Sequence, residues 1–165
     1  MLEKIIIFSV EYLYLLVAGC AIVFVLFSAL HTKKKDITRL GVLSFAIGLL
    51  LDKVLNAVIF SPRPFVVENV SPIVPHVADN GFPSEHALFV MLIAGIIFVF
   101  HKKMGILLSI LALIIGIGSI LAKVHYPIDV LGSVLIAFVS VLVSTFIISR
   151  FGNRGVSTSR FDNTP

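Results

Sequence analysis

Three short polar clusters carry the residues that could do chemistry in an otherwise apolar chain. They are Ser61–Phe65 (Ser-Pro-Arg-Pro-Phe), Asn80–His86 (Asn-Gly-Phe-Pro-Ser-Glu-His) and Lys123–Asp129 (Lys-Val-His-Tyr-Pro-Ile-Asp). Histidine is the side chain that acts near neutral pH either as a neutral nucleophile or as a cationic proton donor. Arginine offers a fork of N–H donors that matches phosphate oxygens. If the clusters meet, they form a site for a phosphate group.

Two of these clusters suggest specific roles for their residues. Asp129 follows His125 by four residues, so its carboxylate could accept from one imidazole nitrogen and leave the other lone pair free. The same pair could also merely cap a turn. Ser84 follows Pro83 at an expected helix start, where its hydroxyl and the backbone N–H groups could bind an anion. A plain helix cap would be compatible with that role.

Long apolar runs separate the clusters and must position them. A bilayer core is spanned by roughly 20 apolar residues, and five runs approach or exceed that length. They extend over about 5–30, 40–60, 83–100, 104–124 and 127–148. The sequence therefore predicts an all-α, polytopic membrane helix bundle with about five transmembrane helices, and each polar cluster lies at the end of a run.

The composition agrees with this class. The mean hydropathy is +1.09, 58% of the 165 residues are hydrophobic and only 13% are charged, which is too few polar residues to cover a soluble domain. We expect one membrane domain, 1–149, and a polar, disordered tail, 150–165. The single cysteine, Cys20, is expected to be a small packing residue.

The first run has two features of its own. No small-residue cleavage site follows a short apolar core, so we expect a retained helix and not a signal peptide. Glu11, Tyr12 and Tyr14 lie near its start. An ionisable residue at that depth is a functional candidate, but near a helix end it can also simply reach the interface.

The basic residues predict the orientation of the bundle. The net charge is +4, and the basic residues lie in short tracts beside apolar runs, which is typical of membrane topology and not of nucleic-acid binding. The tracts at 31–39, 101–103 and after 150 alternate with the 61–83 loop and the 125–127 turn. Placing the basic tracts in the cytoplasm puts the three polar clusters, and the amino terminus, on the outer face.

Taken together, the clusters resemble the type 2 phosphatidic acid phosphatase (PAP2) superfamily, most closely its bacterial undecaprenyl-diphosphatase branch. The family pattern is Lys, six residues, Arg-Pro; then Pro-Ser-Gly-His; then Ser-Arg, five residues, His, three residues, Asp. The matching positions are Arg63-Pro64, Pro83-Ser84-Glu85-His86, and His125 with Asp129. The resemblance covers about residues 40–145, and the three motifs occur in the family's order.

This resemblance implies an activity and a role for each matching residue. His125 would attack the terminal phosphorus to form a phosphohistidine, and His86 would protonate the departing oxygen. Asp129 would orient His125, while Arg63 and Ser84 would bind the phosphate. The implied reaction is hydrolysis of undecaprenyl diphosphate to undecaprenyl phosphate at the outer surface of a bacterial cytoplasmic membrane.

Other functions remain compatible with the same residues. A phosphatidate or phosphatidylglycerophosphate phosphatase would use the same pocket on a glycerolipid. A degenerate, non-catalytic lipid-binding membrane protein is the other class. The expected partners are a lipid diphosphate and the phospholipid bilayer, without nucleic acid, and no protein partner is indicated. His76 and Asp79 alone make a poor ligand set, so no metal or other cofactor is expected.

Two cations of the family pattern are absent from their usual positions. Asn56 stands where the lysine is expected, and Gly118-Ser119 stands where Ser-Arg is expected. Lys53 lies one helical turn before Asn56, and Lys123 lies one turn after Ser119, so either could reach the same phosphate. Lys123 is the better candidate because it lies two residues from His125, whereas Lys53 directly follows Asp52 and could pair with it.

Overall fold

The computed structural model describes residues 1–30 and 34–151, and the regular structure of this part of the chain is helical. The elements are α1 (Leu2–Ile7), a π-helical turn (Phe8–Tyr12), α2 (Leu13–Leu30), α3 (Lys34–Val58), α4 (Pro64–Val67), α5 (Glu85–Phe100), α6 (Lys102–Leu121) and α7 (Pro127–Phe151). The all-α prediction is confirmed. The first part of the expected basic connection, 31–33, and nearly all of the expected tail, 152–165, lie outside the described residues.

The helices form a membrane bundle. Among the described residues, α3, α6 and α7 are long and apolar enough to cross a bilayer, and α5 is a shorter apolar helix. Leu131, Leu135, Phe138 and Leu142 follow one another at helical spacing on α7, and each is between 57% and 64% exposed. Such a continuous apolar stripe is rare on a soluble surface and suits contact with lipid. The chain is a multi-pass membrane protein.

Helix α5 lies at the centre of the bundle and carries its core. One buried apolar cluster joins α5 to α2 and α6, and a second cluster joins α5 to α3 and α7. Val90 and Ala94 belong to the first cluster, whereas Leu88 and Leu92 belong to the second. Because apolar side chains on opposite faces of α5 are buried, the start of this helix, at His86, is held firmly.

Two glycines of α6 allow close approach of neighbouring elements. A Cβ atom at Gly116 would come within 2.6 Å of Val130 on α7. A Cβ at Gly118 would collide with Ser9 of the π-helical turn. The expected packing role of Cys20 is wrong, because this residue is exposed on α2.

The three polar clusters lie at one end of the bundle. This end contains the last turn of α3, the start of α5 and the α6–α7 connection. A third apolar cluster adds the amino-terminal segment, since Ile6 and Val10 pack with Val74, Ala122 and Val124. The amino-terminal end of the first helix therefore lies on the same side as the polar clusters, which is the relative arrangement that the charge pattern predicts.

Candidate active site

Arg63 is the buried cation of the site. The residue is 8% exposed, and α4 begins directly after it, with Pro64 in the first turn. Its Nε donates to Asp79 Oδ1 at 2.7 Å, and its Nη1 donates to the backbone oxygen of Val124 at 3.2 Å. These contacts hold the guanidinium beside the turn that carries His125.

His125 is oriented by hydrogen bonds at both ring nitrogens. Its Nδ1 lies 2.9 Å from the Gly81 carbonyl oxygen, which can only accept, so this contact places the proton on Nδ1. Its Nε2 lies 3.4 Å from Arg63 Nη1 and therefore carries the lone pair. His125 is 4% exposed. The ring thus presents an unprotonated nitrogen beside the arginine.

Asp129 supports His125 by a different geometry from the one that the spacing predicts. Its Oδ2 lies 3.7 Å from His125 Nδ1, which is too long for a hydrogen bond. The Nδ1 proton is instead donated to the Gly81 carbonyl. The same Oδ2 accepts from the Tyr126 N–H at 2.8 Å. Asp129 is fully buried, so its carboxylate acts on the imidazole mainly as a nearby negative charge.

Asn80 and Asn56 lock the turn that supplies the Gly81 carbonyl. Asn80 Oδ1 accepts from the Ser61 N–H at 2.8 Å, and Asn80 Nδ2 donates to the Asn56 carbonyl at 2.8 Å. Asn56 Nδ2 in turn donates to the Phe82 carbonyl at 2.7 Å. Asn56, at the family's lysine position, therefore ties α3 to this turn while also lining the cavity.

Ser84 precedes α5 as its N-cap residue, but its side chain makes no capping hydrogen bond. Its Oγ is buried and has no hydrogen-bond partner, although a buried polar atom normally has one. The Ser84 N–H donates to the Asp129 carbonyl at 3.3 Å, and its carbonyl accepts from Ser133 Oγ at 2.8 Å. The backbone is thus fixed, while the hydroxyl remains available for a ligand that reaches it.

His86 lies in the first turn of α5 and lines the same cavity as His125. The ring of Tyr14 meets it edge-on, with centroids 4.8 Å apart. Of the three polar residues near the start of the first run, Tyr14 therefore contacts the site, whereas Glu11 and Tyr12 are exposed.

The structure places the two candidate lysines in different surroundings. Lys123 has a φ of 64° and follows the end of α6 in a Schellman motif, in which Val124 N–H donates to the Ser119 carbonyl at 3.1 Å. Its ammonium bonds to Glu68 at 2.7 Å. Lys123 and Ser119 do not line the cavity, whereas Lys53 does.

The remaining side chains surround a polar cavity of about 260 Å³. Its lining residues come from α3, from all three clusters and from the loop between α4 and α5; they are Lys53, Asn56, Arg63, His76, Asp79, Asn80, Pro83, Glu85, His86 and His125. A second cavity of about 270 Å³ adjoins it and shares Lys53, Glu85 and His86. The rest of its lining is mostly apolar and includes Phe45, Leu49, Leu88, Phe89 and Leu92.

The loop residues His76 and Asp79 were not expected to belong to this pocket. Burial opposes the charged form of Asp79, but the Arg63 hydrogen bond and charge outweigh it and lower the pKa of this carboxyl. Burial, followed by Arg63, His125 and His86, lowers the pKa of His76. In the part of the chain that the structure describes, no group of three His, Cys, Asp or Glu side chains is arranged to hold a metal ion.

Sequence reasoning missed the Gly81 carbonyl, Asp79 and His76 as parts of the site. The Gly81 carbonyl is a backbone group with no side-chain signal. Asp79 precedes the Asn80–His86 cluster directly, so its position could have indicated a partner for Arg63. Nothing in the spacing of His76 predicts that the loop folds back over the cavity.

The fold and the site together define a class of protein: a helical membrane enzyme in which two histidines and an arginine meet over a phosphate-sized polar pocket. The chain belongs to the PAP2 superfamily, whose family model matches residues 37–152. It is therefore a PAP2-type membrane phosphatase.

Known proteins are similar to this chain in sequence and in fold. The chain is 34% identical over 144 residues to the bacitracin transport permease protein BcrC of Bacillus licheniformis, covering 86% of this chain and 70% of that protein. It is 33% identical over 138 residues to the undecaprenyl-diphosphatase BcrC of Bacillus subtilis, covering 84% and 70%. The crystal structure of Aquifex aeolicus LpxE has the same fold, with a TM-score of 0.65 and 21% identity, and the match covers 87% of this chain and 93% of that one.

Proposed function

We propose that this protein hydrolyses undecaprenyl diphosphate to undecaprenyl phosphate and inorganic phosphate through a phosphohistidine at His125. The observation that carries the proposal is the geometry of His125, whose Nδ1 is fixed by Gly81 at 2.9 Å while Nε2 lies 3.4 Å from Arg63. The names of two similar proteins, the undecaprenyl-diphosphatases of Bacillus subtilis and Sulfolobus acidocaldarius, support this substrate.

The first chemical step transfers the terminal phosphoryl group to the protein. The His125 Nε2 lone pair forms a bond to the terminal phosphorus, and the bond from that phosphorus to the bridging oxygen breaks. His86, which the negative charge of the bound diphosphate keeps as the imidazolium, gives its proton to the departing oxygen of the lipid phosphate. Arg63 donates to the equatorial oxygens, where negative charge collects during phosphoryl transfer.

The second step restores the protein. Neutral His86 takes a proton from water, and the water oxygen attacks the phosphorus of the phosphohistidine. The P–N bond breaks, inorganic phosphate leaves and the electron pair returns to His125 Nε2. The buried Asp129 carboxylate stabilises the positive charge that His125 carries while it holds the phosphoryl group.

Further residues complete the phosphate site in this proposal. Ser84 Oγ, which is buried without a partner, would donate to a phosphate oxygen. Lys53 lines the cavity and replaces one cation that the family pattern places at Asn56. Lys123 is the weaker of the two candidate lysines in this proposal, because its ammonium bonds to Glu68 and the residue does not line the cavity. Ser119 would help to position His125 through its backbone carbonyl, which accepts from the backbone N–H of His125 at 3.3 Å.

The adjoining apolar cavity suits the lipid part of the substrate. It opens beside His86 and is lined by Phe45, Leu49, Phe89 and Leu92 among others. A polyprenyl chain leaving the diphosphate at His86 would enter this groove between α2, α3 and α5. The protein would lie in a bacterial cytoplasmic membrane with its pocket on the outer surface, because the basic tracts belong on the cytoplasmic side. Residues 1–149 would form this catalytic domain.

The direct test measures phosphate release from undecaprenyl diphosphate by purified protein in detergent, with excess chelator present. We expect release that survives the chelator and vanishes in His125→Ala. Phosphatidate and phosphatidylglycerophosphate are assayed in parallel. Faster phosphate release from either glycerolipid would identify that lipid as the substrate instead. No release from any of the three lipids by folded protein would mean that the pocket binds phosphate without hydrolysing it.

A further inference from the structure

His76 is a third imidazole at the same cavity, and the proposed reaction gives it no role. It lies in the loop between α4 and α5 and lines the cavity with His86 and His125. Its ring centroid is 6.3 Å from that of His86 and 6.3 Å from that of His125. His76 therefore faces the space between the proposed proton donor and the proposed nucleophile.

The loop that carries His76 is anchored on both sides. Two residues before it, Val74 is 4% exposed and packs in the third apolar cluster. The neighbouring Ile73 N–H donates to the Ala122 carbonyl at 3.3 Å. Three residues after it, Asp79 bonds to Arg63 at 2.7 Å. The anchors hold the imidazole over the cavity.

One ring nitrogen of His76 is left for a ligand. Nδ1 is buried and has no hydrogen-bond partner, so a molecule in the cavity would meet the ring through Nε2. The charged and titratable groups that share the cavity with His76 are Lys53, Arg63, Asp79, Glu85, His86 and His125.

Burial and the surrounding charge together set the protonation of His76. Burial, the Arg63 charge and the two other histidines lower its pKa, while the nearby Pro75 backbone works in the opposite direction. The ring is therefore neutral at neutral pH. A phosphate group between the three imidazoles brings negative charge into the cavity, which favours the imidazolium.

We propose that His76 is a substrate-binding residue, which takes up a proton when the diphosphate binds and donates from Nε2 to an oxygen of the phosphoryl group held between His86 and His125. This inference rests on the proposed function, because it assigns a ligand contact within the same site. No bond to phosphorus is made by His76, and its proton comes from solvent and returns there when phosphate leaves.

The kinetic test compares four full-length proteins on undecaprenyl diphosphate between about pH 5.5 and 8.5: the wild type, His76→Ala, His76→Gln and the control Val77→Gln. Val77 is 74% exposed in the same loop and does not line the cavity. We expect His76→Ala to raise KM roughly tenfold or more, because a hydrogen bond to a charged group is lost, with a smaller change in kcat.

The KM ratio of His76→Gln to wild type should grow as the pH falls, because only wild type gains affinity by taking up a proton. Ratios near one at every pH, in folded variants, would overturn the proposal.

A binding measurement separates this inference from the proposed function. Calorimetric titration with inorganic phosphate, in two buffers with different ionisation enthalpies, reports the number of protons taken up on binding. We expect greater uptake by wild type than by His76→Gln at neutral pH. Greater uptake without turnover of undecaprenyl diphosphate would refute the proposed substrate and support the His76 contact. Equal uptake, or no phosphate binding by wild type, would overturn the contact.

Discussion

At the residue scale, Lys53 and Lys123 differ in the partners of their ammonium groups, and Lys123 also has an unusual backbone conformation. Lys123 occupies the left-handed position that ends α6, where φ is 64°, a conformation that glycine adopts most readily. Its ammonium is 2.7 Å from Glu68. Lys53 has a side chain that is 77% exposed and only a 3.9 Å contact with Asp52, so it can turn toward an anion in the cavity that it lines.

This contrast leads to a prediction about the two lysines. Lys53→Ala should raise KM for the diphosphate by roughly tenfold. Lys123→Gly, which preserves the backbone conformation, should leave KM within about twofold. Steady-state phosphate release checks both variants. A greater loss in Lys123→Gly would show instead that the Glu68 pair opens to let Lys123 bind the phosphate, as the sequence predicts.

The pocket histidine His76 also predicts how stability changes with pH. Because its pKa in the folded protein lies below the ordinary value of 6.5, the unfolded chain binds a proton first as the pH falls. This protonation stabilises the unfolded chain, so the free energy of unfolding is greatest above about pH 6.5 and falls progressively below it.

We expect the melting temperature of wild type to fall more between about pH 7.5 and 5.5 than that of His76→Gln. Asp79 should not contribute to this difference. Its pKa is lowered from 3.8, so its stabilising contribution is lost only at still lower pH. Thermal unfolding in detergent at both pH values measures the effect. An equal shift in both proteins would contradict the neutral state of His76.

At the scale of secondary-structure elements, the α5–α7 contact depends on a glycine below the site. A Cβ atom at Gly132 of α7 would collide with the Phe82 ring, whose Cζ would lie 2.6 Å away. Phe82 is buried and precedes Pro83 and Ser84, so it links the packing of α7 to the turn that begins α5.

Gly132→Ala should therefore destabilise the protein by about 1–3 kcal/mol, the usual effect of overpacking, and should reduce turnover by displacing the turn. Thermal unfolding and phosphate release measure the two effects. Gly41→Ala in α3 is the matched control, because a Cβ there meets nothing within 4 Å. Unchanged stability and activity in Gly132→Ala would show that the Phe82 ring moves aside without disturbing the site.

At the scale of the whole molecule, the orientation of the pocket follows from which end of the bundle faces the cytoplasm. The His76 loop and the amino-terminal segment lie at the pocket end. The basic start of α6, with Lys102 and Lys103, lies at the opposite end, because α6 runs from there toward the Schellman motif beside His125.

We expect an impermeant maleimide to label Val77→Cys in intact cells and to label Lys103→Cys only after permeabilisation. Both variants are made with Cys20→Ala, which removes the single native cysteine. The Cys20→Ala protein alone is the unlabelled control. The reverse labelling pattern would place the pocket in the cytoplasm and reject the proposed outer-surface site.

The sequence by itself determined the membrane class, the helical architecture and the meeting of Arg63, His86 and His125 at one pocket. Apolar runs long enough to span a bilayer permit helices, since helices satisfy their own backbone hydrogen bonds in lipid. Once the runs are helices, their polar ends are assigned to alternate faces. Arg63, His86 and His125 were thus predictable from motif and topology together.

Only the tertiary structure decided which groups touch one another within that pocket. The Gly81 carbonyl, and not Asp129, accepts the hydrogen bond from His125 Nδ1. A turn locked by Asn80 brings this carbonyl oxygen to 2.9 Å from Nδ1. His76 reaches the cavity because Val74 and Asp79 anchor its loop to distant residues. These contacts join backbone groups and loops far apart in the chain, and no local spacing encodes them.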